Sequence, residues 1–309
     1  MDISVVIPTY NRKETLELVL ASMVSQTFSR DRFEVIVADS NSSDGTDLVV
    51  SRFQSEMGLR YLRQENRGRS GARNLGIRSA GGRIVLFTDA DIIADPHLLE
   101  EHWNAHQEYG RGAVVGWEVR VQSEDELAQA RQDPEARVAL HPPGRKLLSW
   151  LYFLTGNASA PRNDLISVGL FDEAFQQYGW EDIELGYRLA KAGVAIRYNP
   201  LALNYHFHPQ TLEERCSVAV DAGRSAVRFW RKHRDWRIRW LLGMNPFSTA
   251  FFSMFSPKGT FLRALRSRLQ LASCDRGGPF LVRSLRELLI QYHYSTGVRG
   301  ALRELIKEE

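Results

Sequence analysis

The stretch IVLFTDADIIA, residues 84–94, places two carboxylates, Asp89 and Asp91, at the end of an apolar run. The run has the character of a buried strand, in which residues i and i+2 point the same way, roughly 6–7 Å apart. Two carboxylates so placed repel one another and lose solvation, and this arrangement is energetically costly unless a cation binds between them. A divalent cation held by carboxylates and substrate phosphates fits this pattern. The alternative is a strand-end turn in which one aspartate caps the next helix.

Polar residues also follow the first two apolar runs of the chain. PTYNR, residues 8–12, either contacts a ligand or forms a turn into a helix. In ADSNSSDGTD, residues 38–47, the tripeptide DGT has the composition of a turn and helix cap. Asp39 lies directly at the strand end, outside that turn, so we expect its carboxylate to accept hydrogen bonds from a base or a ribose.

The segment NRGRSGARNLG, residues 66–76, places Arg67, Arg69 and Arg73 among three glycines. Positive charge and small residues near a carboxylate-bound metal suit a diphosphate. The glycine spacing is not GxGxxG, and the sequence contains no GxxxxGK[ST]. A dinucleotide-binding fold and a P-loop NTPase therefore both lose support.

These segments lie between short strands rich in Val, Ile, Leu and Phe and helices with one apolar face. The predicted strands are 3–8, 33–40, 59–64 and 83–91, and the predicted helices are 12–26, 45–57 and 71–80. This alternation predicts an α/β fold with a mostly parallel sheet flanked by helices. In open α/β sheets, ligands bind beyond the carboxyl ends of the strands, where the polar residues above are expected.

The second half of the chain is less regular. Residues 121–147 predict a long loop or loose helix, and residues 155–160 return to strand character. The segment 171–193 begins irregular and becomes helical from about Glu181. Two short extended pieces, AIRYNP and LNYHFHP, precede a helical and increasingly Arg-rich segment from about residue 211.

The composition is that of a globular protein with an uneven charge distribution, since 43% of its 309 residues are hydrophobic and 25% charged. Residues 1–223 carry 23 Lys and Arg against 31 Asp and Glu, whereas residues 224–309 carry 17 against 6. A basic segment on an acidic body predicts an anionic partner. The N-terminus shows no basic leader, and Cys216 and Cys274 form no CxxC pair, which predicts a reducing, cytoplasmic setting.

The motifs together resemble those of a known family. In order and spacing, the chain resembles a family 2 glycosyltransferase with the GT-A fold through PTYNR, VADSNSSDGT, ENRGRSGARNLGI, FTDAD and GLFDEAF followed by GWEDIELGYRL. The resemblance covers roughly residues 1–210. It implies a Rossmann-like α/β domain, a nucleoside-diphosphate sugar donor and a divalent cation, Mn²⁺ or Mg²⁺.

The resemblance also implies roles on the donor side. Thr9 and Tyr10 would lie by the nucleotide, Asp39 would meet the base, and Asp89 would lie near the ribose or the metal. Asp91 would hold the metal on the donor diphosphate. The full set of expected donor contacts is Pro8, Thr9, Tyr10, Arg12, Asp39, Ser40, Arg69, Arg73, Asp89 and Ala90.

A histidine is the expected third metal ligand, because related enzymes place one after their acidic motif. His206 and His208 alternate in NYHFHP and so face the same side of a strand. We prefer His208 as the ligand, beside Asp91 and Asp89. His206 would then be a packed or hydrogen-bonding neighbour.

The Glu181–Asp182 pair matches the acidic pair, after Trp180, from which the family draws its catalytic base. Asp182 is the preferred base and Glu181 the rival. Without the family context, the pair would be a charge pair favoured by the N-terminal dipole of a helix. On the acceptor side, the expected contacts are Gly156, Asn157 and Trp180.

The predicted domain organisation has two parts. A GT-A catalytic domain covers residues 1–223, with a nucleotide-sugar half over about 1–112 and an acceptor half over about 113–223. A helical, basic C-terminal segment covers residues 224–309.

The predicted activity is inverting glycosyl transfer to a hydroxyl acceptor, glycan or lipid-linked, in cell-envelope polysaccharide synthesis. A UDP-sugar is the favoured donor, because the resemblance implies that Asp39 meets uracil. A carboxylate can also accept hydrogen bonds from guanine, and GDP- and dTDP-sugars are the other candidate donors. The sequence also leaves open a retaining glycosyltransferase, a nucleotidyltransferase and a catalytically silent sugar-nucleotide-binding scaffold. The GWED block argues against a nucleotidyltransferase. A protein that only binds sugar nucleotides would not need a catalytic base.

The C-terminal segment suggests a membrane surface as partner. Residues 228–240 interleave Arg with Trp and Phe, and residues 240–257 carry no charge. Pro246 and several serines favour an interfacial helix pair over a membrane span. We expect peripheral binding at the inner face of the cell membrane through residues 224–260, with packing on the catalytic domain as the alternative. Nucleic acid is not expected, because the body is acidic and no recognition motif occurs.

Overall fold

The structure is a computed structural model, and it describes residues 1–133, 147–207, 210–245 and 280–308. The chain forms two compact units. The first comprises residues 1–176 and 181–209, and the second comprises residues 177–180 and 210–309. The predicted domain boundary after residue 223 falls inside a helix of the second unit, Leu212–His233.

The first unit is built on a mixed sheet. Its strands are β1 Ile3–Thr9, β2 Phe33–Asp39, β3 Leu59–Arg63, β4 Ile84–Phe87, β5 Ile92–Ala94, β6 Gly112–Val121, β7 Leu147–Leu148, β8 Ala158–Pro161 and β9 Ala195–Phe207. Within the described residues they form one sheet in the order β3-β2-β1-β4-β8-β6-β9-β5, and β7 pairs with β9. Parallel pairing joins β3, β2, β1 and β4, and also β6 with β9. The predicted α/β sheet is confirmed, although its second half also contains antiparallel pairs.

Helices cover both faces of this sheet. They are α1 Lys13–Val24, α2 Thr46–Phe53, α3 Gly68–Ser79, α4 Leu98–Tyr109, α5 Glu124–Gln132, α6 Arg162–Ser167 and α7 Glu181–Lys191. Alternate residues of a strand face opposite sides. Val5 accordingly packs with the apolar residues of α1, α2 and α4, whereas Val6 packs with those of α3, α6 and α7. Burial on both faces explains why β1 carries no exposed polar residue before its carboxyl end.

The strand predicted over 83–91 ends early, and a second short strand follows a turn. β4 ends at Phe87, which pairs with Val6 of β1, and β5 begins at Ile92 and pairs with β9 instead. The intervening residues form a turn in which the Ile92 N–H donates to the Asp89 carbonyl at 3.1 Å. The prediction that Asp89 and Asp91 lie on one extended strand was therefore wrong. Because the residues after the turn, IIA, are also apolar, the sequence pattern did not reveal that they form a separate strand with a different neighbour.

Two other segments are more regular than predicted. The extended piece AIRYNP and the first five residues of LNYHFHP, up to Phe207, belong to one strand of 13 residues, β9. The region predicted as a loop or loose helix contains α5, whose Ser123 side chain accepts from the Glu126 N–H at 3.1 Å. Residues 134–146 of that region lie outside the described residues.

The second unit is helical in its described part. It contains α8 Leu212–His233, α9 Trp236–Leu241 and α10 Phe280–Glu308. A capping box formed by Thr211 and Glu214 begins α8. Helices α8 and α10 cross where a Cβ on Gly223 would lie 2.1 Å from the Tyr294 carbonyl oxygen, so only glycine permits this approach.

The described residues contain no helix long and apolar enough to cross a membrane. The uncharged stretch 240–257 lies outside the described residues from 246 onward. Its predicted interfacial helices therefore stay a prediction.

Candidate active site

The loops after β1 and β2 are tied to each other by hydrogen bonds. The Asn11 N–H donates to Ser42 Oγ at 2.8 Å, and the Ser43 N–H donates to Asn11 Oδ1 at 2.9 Å. The Lys13 N–H at the start of α1 donates to Asp44 Oδ2 at 3.0 Å. These bonds fix the two strand ends from which most of the expected donor contacts come.

Asp39 lies fully buried at the end of β2. Its carboxylate accepts hydrogen bonds from the Ser42 N–H at 3.1 Å and from the Tyr61 hydroxyl at 2.5 Å. Burial and this hydrogen bond raise the pKa of Tyr61, so the phenol remains a donor to Asp39. Contact between Asp39 and a nucleotide base stays a prediction, and a base would share the carboxylate with the N–H and hydroxyl of Ser42 and the hydroxyl of Tyr61.

The other expected donor contacts divide by exposure. The buried ones are Pro8, Thr9, Ser40 and Ala90, and the exposed ones are Tyr10 and Arg69. The Ser40 N–H donates to the Thr9 carbonyl at 3.0 Å, which continues the β1–β2 pairing beyond the strands. Tyr10, with half of its surface exposed, has a side chain accessible to a ligand.

Arg73 connects two of the expected acidic residues. Its Nη2 lies 2.8 Å from Asp89 Oδ1, and its Nη1 lies 3.1 Å from Glu181 Oε1. The Arg73 side chain is only 2% exposed, and burial of the charge is tolerated because two carboxylates pair with it. The guanidinium thus joins the turn after β4 to the first turn of α7.

Asp91 faces a different set of partners. Its Oδ2 lies 3.3 Å from Arg12 Nη1, and its Oδ1 lies 3.7 Å from His206 Nε2. The other imidazole nitrogen, His206 Nδ1, lies 3.1 Å from Glu118 Oε1 of β6. Sequence reasoning missed Glu118, because it lies 88 positions from His206 and only the pairing of β6 with β9 brings them together.

The neighbouring carboxylates determine the charge of this imidazole. Burial lowers the pKa of His206, but hydrogen bonds to Asp91 and Glu118, together with their charges, outweigh burial and raise it to about 10. The Glu118 carboxylate also fixes the ring orientation that directs Nε2 towards Asp91.

Asp91 and His206 fit one side of a divalent-cation site. A carboxylate oxygen and a deprotonated imidazole nitrogen both ligate Mn²⁺-type cations, and these two approach within 3.7 Å. A cation at this position would replace the Nε2 proton of His206. In the part of the chain that the structure describes, no group of three or more His, Cys, Asp or Glu side chains could hold a metal. A cation there would need further ligands such as substrate phosphates. Asp89 pairs with Arg73, and its contact with a metal stays a prediction. His208, the preferred histidine, lies outside the described residues.

Asp182 lies in the first turn of α7. The Ile183 N–H donates to its Oδ1 at 2.7 Å, and the Thr155 N–H approaches its Oδ2 at 3.4 Å. Burial and the adjacent Glu181 charge raise the pKa of Asp182 to about 7, although Arg73 and the backbone donors act in the opposite direction. A carboxyl group with such a pKa can accept a proton at neutral pH.

The expected acceptor contacts have different surroundings. The buried Asn157 side chain donates to the Trp117 and Ala202 carbonyls at 3.1 and 2.9 Å and contacts His102. A Cβ on Gly156 would lie 2.5 Å from Glu118 Oε2, so a side chain at this position would displace the Glu118 carboxylate.

The third expected acceptor contact, Trp180, belongs to the second unit. It has a φ of 72°, which is rare for an aromatic residue, and its ring packs against Tyr294 with the centroids 6.4 Å apart. Acceptor contact by all three residues stays a prediction.

Several buried polar atoms in these segments have no hydrogen-bond partner among the described residues. They are Thr9 Oγ1, Gln64 Nε2, Ser70 Oγ, Arg73 Nε, Thr88 Oγ1 and Glu181 Oε2. They lie at or just after the carboxyl ends of β1, β3 and β4, in the first two turns of α3, or at the first residue of α7. Buried polar groups in native proteins are normally hydrogen bonded. Their concentration here indicates a polar ligand.

The sequence matches two family models. The model described as "Glycosyl transferase family 2" matches residues 4–168, more than half of the chain. The model described as "N-terminal domain of galactosyltransferase" matches residues 135–210.

Two curated relatives are similar over most of the chain. Validoxylamine A glucosyltransferase of Streptomyces hygroscopicus subsp. jinggangensis is 32% identical over 259 residues, which cover 75% of this chain and 61% of the relative. Chondroitin synthase of Escherichia coli is 30% identical over 250 residues, which cover 71% of this chain and 36% of the relative. The chain therefore spans less than two-thirds of the length of these relatives.

A solved structure shares the fold. The mannosyltransferase of Pyrobaculum calidifontis, solved with GDP-Man and Mn²⁺, has a TM-score of 0.62 and 22% sequence identity. The comparison covers 97% of this chain and 86% of that protein. The family match confirms the resemblance found in the sequence motifs, and the structural likeness confirms the GT-A fold. The chain belongs to glycosyl transferase family 2.

Proposed function

We propose that the protein is an inverting glycosyltransferase that moves a sugar from a nucleoside-diphosphate sugar to an acceptor hydroxyl. The observation that carries this proposal is the position of Asp182 beside the buried Arg73–Glu181 ion pair, where burial and the Glu181 charge raise the pKa of its carboxyl group. A binding module gains nothing from such a group, whereas an enzyme that deprotonates a hydroxyl requires it.

The donor side uses the strand-end residues. Tyr10 and Arg69, both exposed, can contact the nucleotide, and the loops around Asp39 receive the base. The unpartnered Thr9 and Thr88 hydroxyls, at the ends of adjacent strands, offer donors to the ribose or the phosphates. A UDP-sugar is our favoured donor. A GDP-sugar is the alternative, because the mannosyltransferase of the same fold was solved with GDP-Man.

Asp91 and His206 would hold a divalent cation, with Glu118 orienting the imidazole. When bound, the cation offsets the negative charge that develops on the leaving nucleoside diphosphate. Mn²⁺ and Mg²⁺ both remain candidates. The ion pair with Arg12 holds the second carboxylate oxygen of Asp91.

Asp182 acts as the general base. Arg73 pairs with the Glu181 carboxylate and holds it in place, whereas burial and the Glu181 charge raise the pKa of Asp182. In its deprotonated form Asp182 accepts the acceptor proton as the hydroxyl oxygen attacks the anomeric carbon. Attack from the face opposite the leaving group inverts the anomeric configuration in one displacement.

The acceptor is a glycan or a lipid-linked saccharide of the cell envelope, and transfer occurs at the inner face of the cell membrane. The relationship to chondroitin synthase supports a glycan acceptor. The basic C-terminal segment supports the membrane location, since residues 224–309 carry a charge balance of +11.

The test compares Asp182→Asn with Glu181→Gln in a panel of sugar nucleotides and glycan acceptors. We expect Asp182→Asn to lower kcat by about 10²–10⁴-fold while the donor Kd changes less than about twofold, because the base acts only in the transition state. Glu181→Gln should instead weaken donor binding as well, since it releases Arg73. An equal loss of donor binding in Asp182→Asn, or a product with retained configuration by NMR, would contradict the mechanism.

A further inference from the structure

The second unit exposes large apolar side chains beside a group of cations, which we call the Trp–Arg surface, residues 231–241. In α9, Trp236 is 66% exposed, Trp240 is 52% exposed and Leu241 is 47% exposed. Isolated exposed apolar residues are ordinary, but a contiguous group indicates an interaction site.

The fold holds these side chains outward. Ile238 and Leu242 are 1% and 2% exposed, so α9 is held by its inner face. Trp236 and Trp240 are four residues apart and therefore lie on the same side of the helix, away from that face. The exposure of the indoles thus follows from the packing of α9.

Five cations belong to the same surface. They are the exposed residues Arg231, Lys232, Arg234, Arg237 and Arg239. Arg234 and Arg239 stack on the Trp230 ring at 5.6 and 5.3 Å from its centroid. The single acidic residue, Asp235, accepts from the Arg237 N–H at 2.8 Å as the cap of α9. The surface is therefore strongly positive, and stacking orders part of its charge.

We infer that the Trp–Arg surface binds the anionic face of a phospholipid membrane. Indole rings settle at the boundary between headgroups and acyl chains, and guanidinium groups pair with lipid phosphates. Leu241 adds an aliphatic side chain, which suits hydrocarbon and offers no stacking face to a nucleic-acid base. The sequence continues from this surface through residues 240–257 without a charged residue.

The inference names the contact surface for the membrane location proposed above, and it rests on that location but not on the sugar-transfer chemistry. The cations and the apolar side chains of the Trp–Arg surface make separable contributions to membrane binding. The cations supply salt-dependent attraction, whereas the indoles and Leu241 supply burial that persists in salt.

The test is vesicle co-sedimentation of the full chain with phosphatidylcholine vesicles, with and without about 30 mol% phosphatidylglycerol. We expect binding only to the anionic vesicles. Trp236→Ser should weaken partitioning about tenfold, and Arg237→Gln about fivefold. Matched controls in the first unit are Leu48→Ser, an exposed apolar residue, and Arg83→Gln, an exposed cation, and both should bind like the wild type.

Each outcome decides a different point. Equal binding by wild type and both surface variants would overturn this surface while leaving the membrane location standing. Failure of the wild type to bind anionic vesicles would overturn the location and the surface together, and transfer to a glycan acceptor would still test the reaction independently. Tight binding of single-stranded RNA that both surface variants lose, without vesicle binding, would assign the surface to nucleic acid. Circular dichroism of the variants excludes unfolding as the cause.

Discussion

Asp182 is a carboxyl group in a place where its charged form is costly. Burial and the charge of Glu181 raise its pKa from 3.8 to about 7. The folded protein therefore binds a proton that the unfolded chain has released, and the stability that this proton contributes is lost as the pH rises through about 7. Residues whose pKa values are shifted for catalysis often reduce the stability of the folded state, and we expect Asp182 to do so at neutral pH.

Asp182→Asn should consequently stabilise the protein at pH 8 while it lowers kcat. Between about pH 4 and pH 8 the melting temperature of the variant, relative to the wild type, should increase, because only the wild type loses its proton over that range. Differential scanning fluorimetry at a series of pH values measures the difference. A difference that does not depend on pH, or that is largest at low pH, would contradict the raised pKa.

Glu118 is a site residue that the structure identifies and that the sequence motifs did not predict. Its Oε1 lies 3.1 Å from His206 Nδ1, so Glu118→Gln replaces a charged orienting partner with a neutral one. We expect Mn²⁺ affinity, measured by electron paramagnetic resonance titration, to fall about 10- to 100-fold. Glu124→Gln, an exposed glutamate in the first turn of α5, is the matched control. Unchanged Mn²⁺ binding in Glu118→Gln would remove His206 from the proposed cation site.

The individual acids and bases of the site could be named from the sequence, but their partners could not. Asp89, Arg73 and Glu181 each stand in a recognisable motif, whereas the ion pairs that join them span up to 108 positions. Such pairs depend on which strand ends lie side by side. Residue spacing in a single sequence carries no information on that arrangement.

At the scale of elements, α4 is fastened to β8 by a buried polar network. His102 Nδ1 and His106 Nε2 both lie 2.8 Å from Ser159 Oγ, and His102 Nε2 lies 2.8 Å from Asn157 Oδ1. Asn157 uses its amide N–H groups on carbonyls, so its oxygen must accept from His102 Nε2–H. Ser159 then donates to His102 Nδ1 and accepts from His106 Nε2–H. This arrangement requires a neutral His102, whose Nδ1 must accept, whereas His106 is kept neutral by burial.

Acid should therefore disrupt this network. Burial lowers the pKa of His102 to about 4 and that of His106 to about 3, against 6.5 for the unfolded chain. The stability from the neutral rings is present above about pH 6.5 and is lost as the pH falls towards these values. Long-range ¹H–¹⁵N spectra should show two rings as Nε2–H tautomers that remain neutral at pH 5. Protonation of either ring above pH 6 would contradict the arrangement.

The order and type of the elements followed from periodicity, whereas their pairing did not. Alternation of apolar strands with amphipathic helices predicted β1, α1, β2, α2, β3 and α3. The division of 84–94 into β4, a turn and β5 was missed, because the apolar residues continue on both sides of the turn. Buried strands have similar apolar sequences whichever strand they pair with, so the sequence pattern does not identify the neighbouring strand.

At the scale of the whole molecule, the charge distribution distinguishes the part proposed for sugar transfer from the part proposed for membrane binding. Residues 1–223 carry a balance of −8 and contain the proposed chemistry, whereas residues 224–309 carry +11. The two compact units divide near residue 210, because α8 is a continuous helix that begins after the Thr211 cap. Charge counting placed the predicted boundary later, where the arginines become dense, and it could not detect a helix start.

The central claim is that the first unit binds a nucleoside-diphosphate sugar with a divalent cation at Asp91. The most direct measurement is thermal stabilisation by UDP-, GDP-, dTDP- and CMP-sugars, each with Mn²⁺, with Mg²⁺ and with chelator. At about a hundred times its Kd, the true donor should add about 2.7 kcal/mol, which corresponds to a shift of about 5–10 °C. We predict one such shift that disappears with chelator and in Asp91→Ala. The absence of a shift with every sugar nucleotide, or a shift that survives in Asp91→Ala, would contradict the account.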